Sequence, residues 1–165
     1  MATQELGAER NDASPRKEPP RVAAGMVKSA QVVWTGTFKA GSGVVSTESG
    51  VLHEAPYGFN SRFEGGKGTN PEELVAAAHG SCFSMALALA LSEAGLAPTR
   101  IATEAQITLT KGEAGYSVTA SHLDVSVAVP GVADADFQTI ANKARDTCPM
   151  SRLLRAPITM SARLA

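Results

Sequence analysis

The chain has 165 residues, 44% hydrophobic and 19% charged, with a formal net charge of −1. That length suits one domain, and the near-neutral charge offers no basis for binding nucleic acid or an anionic membrane. Two cysteines with no CxxC motif, and three scattered histidines (His53, His79 and His122), argue against a disulfide scaffold and a zinc site. The cysteine usage points to the cytoplasm, where a cysteine pair is more often reactive than structural.

Residues 1–25 are rich in Glu, Arg, Ala and Pro and lack a periodic apolar face, so a disordered tail is expected there. The run Val22 to Ala24 is too short for a secretory signal, and Met26 offers a second start. The folded domain is expected to span 26–165. Within it, Gln31 to Thr37 and Val44 to Val51 are predicted strands, joined by a turn at Lys39 to Gly43. Residues 56–71, PYGFNSRFEGGKGTNP, are punctuated by glycine and proline and predict a loop carrying Arg62 and Lys67.

A helix is predicted from Asn70 to Gly95. Asn70 is a suitable N-cap, Pro71 suits the first helical position, Glu73 completes a capping box and Gly95 is a natural stop. At about 24 residues it is about 36 Å long. It is apolar on nearly every side, which predicts burial rather than amphipathicity. It is not read as a membrane span, because it carries Glu72, Glu73, His79 and Glu93 and its longest apolar run is short. A chain this small wraps such a helix with difficulty, so a dimer with two central helices packed on each other is the simplest cover.

Beyond Pro98, Arg100 to Lys111 and Tyr116 to Val129 alternate apolar and polar residues and predict half-buried strands, with His122 on the solvent side. Asp134 to Thr147 predicts a helix, followed by a short one with Cys148 as N-cap and Pro149 at its first position. Ile158 to Leu164 is the last strand. The order β-β-α-β-β-α-β is α+β.

The two cysteines sit on or at helices. A helix N-terminus lowers a thiol pKa, which favours Cys148; Cys82, in mid-helix, would need a cation brought from elsewhere, and Arg62 is the best candidate. His79, one turn before Cys82, is read as a hydrogen-bonded buried histidine. Trp34 and Phe59 are read as core rather than as lining for an apolar approach. Ser81 and Ser84 lack a base at workable spacing, so serine hydrolysis is not expected.

The block PYGFNSRFEGGKGTNPEELVAAAHGSCFSMALA, with the distant CPMSRLL, resembles the OsmC/Ohr family of thiol-dependent peroxidases, and STESGVL and His79 resemble the OsmC branch. The resemblance spans about residues 28–164. It implies an interlocked homodimer with central helices between sheets, and two active sites at the subunit interface. It also implies Cys82 as the peroxidatic cysteine, Cys148 as the resolving cysteine, Glu72 as the catalytic glutamate and Arg62 as the arginine over the thiolate. Neither metal nor flavin is implied; the expected partners are a peroxide substrate and a dithiol reductant of lipoyl type.

Glu72 and Cys82 are ten residues apart on one predicted helix, about 15 Å along its axis. Three arrangements would bring them into one site: a broken helix, an Arg62 loop that spans the gap, or a Glu72 supplied by the partner's helix. The third is favoured, because it makes the dimer obligatory. Two other functions share these residues: a redox switch that oxidises once, and a binding module with inert cysteines.

Overall fold

The computed structural model describes residues 25–165; apart from Gly25, the expected N-terminal tail lies outside the described residues. Strand β1 (Ala30–Thr35) pairs antiparallel with β2 (Ser42–Thr47), and β2 with β3 (Ala55–Gly58). Tyr57 of β3 lies across Gly43 of β2, where a Cβ would stand 2.3 Å from its ring. Its ring also meets Trp34 of β1, centroids 5.5 Å apart. Every residue of β1 is exposed within this chain.

The predicted loop over 56–71 is a more ordered device. It holds the end of β3 and a short helix, α1 (Phe59–Phe63). The glycines masked the signal that was present, the i, i+4 pair Phe59 and Phe63, whose rings stack 4.9 Å apart. Ser61 Oγ accepts from the Gly58 N–H at 2.9 Å and donates to the Thr69 carbonyl at 2.8 Å, which folds the return segment back along α1. Gly68, at φ 118°, lets that segment pass Pro56, whose carbonyl oxygen would lie 2.5 Å from a Cβ there.

Helix α2 (Pro71–Glu93) starts as the sequence predicts, with Asn70 Oδ1 accepting from the Glu73 N–H at 2.8 Å. By length and composition it would suffice to cross a membrane. Here its stripe His79, Phe83, Leu87 and Leu91 is fully buried. One chain alone leaves the opposite face of the helix open, as its small size led one to expect: Met85 is 75% exposed and Leu89 61%.

The cover for the buried stripe is a second sheet. Strand β4 (Arg100–Gly112) pairs antiparallel with β5 (Gly115–Ala128), and β5 runs parallel to β6 (Ile158–Leu164). The parallel pair requires a crossover, supplied by α3 (Asp134–Thr147) and α4 (Pro149–Leu153). Strand β5 alternates as predicted: Leu123, Val125 and Val127 are fully buried, while His122 is half-buried, its Nδ1 2.7 Å from Thr159 Oγ1. Phe137, Ala141 and Ala144 of α3 close the core with Cys148.

One polar group sits inside this core. His79 is fully buried, its Nδ1 2.8 Å from Ser121 Oγ on β5 and its Nε2 2.9 Å from Ser151 Oγ on α4. Burial pushes its pKa below the ordinary 6.5. The neutral ring therefore stabilises the fold fully above that value. As pH falls below it, the unfolded chain binds a proton that the buried ring refuses, and stability declines. The urea midpoint is expected to fall between about pH 7 and about pH 5 more steeply in the wild type than in His79→Gln; equal slopes would contradict this account.

Candidate active site

Helix α2 carries Cys82 on the turn after His79, pointing toward the α3–α4 junction. Three groups meet there. The Cys82 sulfur faces the Cys148 thiol and lies beside the Met150 backbone N–H. Cys148 is fully buried and Cys82 half-buried; both are free thiols. Burial, first of all, pushes the Cys82 pKa above its usual value, and the neighbouring Cys148 adds to this, while the Met150 N–H opposes it.

This corrects the expectation about the short helix. Cys148 does stand at its N-cap, with Pro149 first. Yet the first-turn N–H of Met150 also lies beside Cys82, where it favours ionisation, although no help from a helix end was expected for that thiol. The Cys148 N–H bonds back to the Ala144 carbonyl at 2.9 Å.

Arg62 and Glu72 form a second, separate constellation. Helix α1 projects Arg62 onto the first turn of α2, where Nε donates to Glu72 Oε2 at 3.0 Å and Nη2 to Oε1 at 2.6 Å. The pair is bidentate, and both side chains are largely shielded, at 28% and 15% exposed. The guanidinium also lies 5.2 Å from the centroid of the Phe63 ring. Helix α2 runs unbroken between Glu72 and Cys82, which removes the broken-helix arrangement. Among the described residues each hydrogen bond of Arg62 ends on Glu72 of its own chain and none reaches Cys82.

Each constellation borders an open, mostly apolar hollow. Beside Arg62, a cavity of about 180 Å³ is lined by Trp34, Phe38, Tyr57, Phe59 and Phe63. Trp34 and Phe59, expected in the core, are therefore wall residues of this pocket, and Trp34 is 39% exposed. Beside Cys82, a groove of about 640 Å³ runs along Met85, Ala86, Leu89 and Ala90 to Lys143 and Pro149. The serines flanking Cys82 already have partners: Ser81 Oγ donates to the Ala78 carbonyl, and Ser84 Oγ donates to the Gly80 carbonyl and accepts from Thr103 Oγ1 on β4, both at 2.8 Å. Among the described residues, no three His, Cys, Asp or Glu side chains converge as a metal site.

The sequence reading missed two residues that touch the site: Met150, which acts through its backbone, and Ser151, the partner of His79. The only signal for either was position, immediately after the Cys-Pro pair. Phe63, beneath the guanidinium, was legible only as the partner of Phe59.

A family model described as OsmC-like protein matches residues 64–163. Peroxiredoxin OsmC of Escherichia coli (strain K12) is 54% identical over 137 residues, covering 83% of this chain and 96% of the relative. The organic hydroperoxide resistance protein of Xanthomonas axonopodis pv. citri (strain 306) is 32% identical over 102 residues, 61% of this chain and 70% of its own length. The crystal structure of organic hydroperoxide resistance protein OhrB of Bacillus subtilis superposes with a TM-score of 0.63 at 27% identity, over 83% of this chain and 98% of that one. An organic hydroperoxide resistance protein OsmC from Legionella pneumophila superposes with a TM-score of 0.68 at 21% identity, over 87% and 99%, a likeness of fold. With a family model matched over residues 64–163 and a relative 54% identical over 83% of the chain, the protein belongs to the OsmC-like family.

Proposed function

We propose that the protein is a cysteine-based peroxidase that reduces organic hydroperoxides and hydrogen peroxide in the cytoplasm. It works as an interlocked homodimer in which Arg62 and Glu72 of the partner subunit complete the Cys82–Cys148 site. The observation that carries this reading is the separation of two half-sites along one unbroken helix. Among the described residues no Arg or Lys side chain bonds to either thiol, although Lys143 lines the same groove, and no cysteine lines the hollow beside the arginine–glutamate pair. The names of the relatives, peroxiredoxin and organic hydroperoxide resistance, support the same chemistry.

The exposed apolar surfaces support the dimer. Met85 and Leu89 lie along the groove beside Cys82, and Trp34, Phe38 and Phe59 border Arg62. Burying a side chain such as Met85 or Leu89 stabilises by about 1.5–3 kcal/mol. An antiparallel pairing of two α2 helices brings Glu72 of one subunit level with Cys82 of the other.

The chemistry follows from the charges. Burial holds Cys82 protonated; a guanidinium over the sulfur, itself fixed by a bidentate carboxylate, favours the thiolate. The thiolate attacks the terminal oxygen of ROOH. The S–O bond forms and the O–O bond breaks. The alkoxide leaves, takes a proton from solvent and becomes ROH, while Cys82 becomes the sulfenic acid. Cys148 then condenses with it to a disulfide with release of water. An external dithiol of lipoyl type restores both thiols by exchange and is itself oxidised to its disulfide.

Reduced protein is expected to turn over cumene hydroperoxide with dihydrolipoamide, and Cys82→Ser to abolish turnover. Cys148→Ser is expected to consume one equivalent of peroxide and stop. A single oxidation without cycling in the wild type would favour a redox switch instead. The shared site has its own test, in mixed dimers of Arg62→Ala and Cys82→Ser chains. Each parent dimer is inactive. Random mixing should restore about a quarter of wild-type activity, because half the dimers then carry one complete site. No recovery on mixing would mean that each site is built within one chain.

A further inference from the structure

His79 performs no step in the peroxide chemistry, yet it is the one imidazole sealed in the core, and both its nitrogens are engaged. An apolar side chain would fill that volume without needing partners. What the imidazole adds is direction: two hydrogen bonds at opposite ends of a rigid ring tie α2 to β5 and to α4.

The target of each tie is informative. Ser151 follows Met150 directly, and the Met150 N–H lies beside Cys82. His79 precedes Cys82 by three residues on α2, so both side chains issue from the same face. Helix α4 therefore meets α2 at two adjacent points, Ser151 on His79 and Met150 on Cys82. Cys148 stands one residue before the helix begins. With five residues, α4 has little intrinsic stability. Its own backbone bonds, Arg152 N–H to Cys148 and Leu154 N–H to Met150, close turns but do not fix its position. On the far side, the Ser121 N–H holds the Pro157 carbonyl at 3.0 Å, so the residue that orients the imidazole also grips the chain beyond α4.

We infer that His79 is a positioning residue for disulfide closure, holding Ser151 so that Cys148 stays in reach of Cys82. The inference rests on the peroxidase reading above. In the step concerned, the Cys148 sulfur attacks the sulfur of the Cys82 sulfenic acid. The S–S bond forms, the S–O bond breaks, and hydroxide leaves with the Cys148 proton as water. Cys148 is oxidised and the sulfenic sulfur reduced. The competing fate is a second peroxide oxidation to sulfinic acid, which gains whenever closure slows.

The test is single-turnover oxidation of the full-length reduced protein by cumene hydroperoxide, comparing wild type, Ser151→Ala and Ser151→Thr. Peroxide consumption, sulfenic acid trapped by dimedone, and disulfide formation are followed separately. In Ser151→Ala, closure is expected to slow about tenfold, the effect of losing one buried hydrogen bond. When a second equivalent of cumene hydroperoxide is supplied, sulfinic acid should accumulate, while the first peroxide-consuming step stays close to wild type. Ser151→Thr keeps the hydroxyl and should restore closure. A wild type that forms no disulfide would refute the peroxidase reading itself. Wild-type closure in a folded Ser151→Ala would overturn the positioning role alone. Nitrogen NMR of wild-type His79 provides the second measurement, should Ser151→Ala fail to fold. The Nε2 hydrogen bond should persist from the reduced to the disulfide form, and its loss on oxidation would overturn the inference.

Discussion

The constraint on which the rest depends is the straightness of α2. An α-helix advances about 1.5 Å per residue, so ten residues set Glu72 and Cys82 about 15 Å apart. Among the described residues no side chain bonds to both: Arg62 uses its fork on Glu72, and Cys82 turns to α4. A helix with an uninterrupted ladder thus divides the chemistry-bearing residues into two clusters, each beside an apolar hollow. The most economical completion is a second copy of the same chain in antiparallel register, because a two-fold axis supplies each half-site with the other.

The thiol itself is balanced between opposing effects. Burial and the neighbouring Cys148 resist ionisation, and a single backbone N–H from α4 favours it. In that setting an added cation changes the balance more than it would at a solvated surface, because screening falls with water content. The Arg62–Glu72 pair is well suited to be moved as a unit. Its carboxylate holds the guanidinium plane, and Phe63 supports it from beside.

Much of the fold was legible because its elements obey simple periods. Alternation gave β4 and β5, the Asn70–Pro71–Glu73 start gave α2, and Cys148–Pro149 gave the start of α4. What was not legible came from tertiary context. Helix α1 is one and a half turns between glycines, too short for a periodic signal, and its existence rests on Ser61 binding Thr69 across the strap. The role of Met150 lies in its backbone, which no side-chain pattern reveals. The position of Cys82 beside the first turn of α4 was illegible for the same reason: the sequence shows which residue caps a helix, but not which side chain packs against that cap. Trp34 and Phe59 read as core by composition, and they occupy a wall that a second chain is proposed to cover.

The central claim is electrostatic: Cys82 becomes reactive because an arginine–glutamate pair is brought against it. The direct measurement is the ionisation of the Cys82 thiol, followed by thiolate ultraviolet absorbance against pH. It is made in a Cys148→Ser background, so that one sulfur titrates, with and without Arg62→Ala. The account predicts a thiolate that forms well below the usual cysteine range when Arg62 is present and above that range when it is absent. Superimposable titrations in the two proteins would show that Arg62 does not act on the sulfur, and would contradict the account.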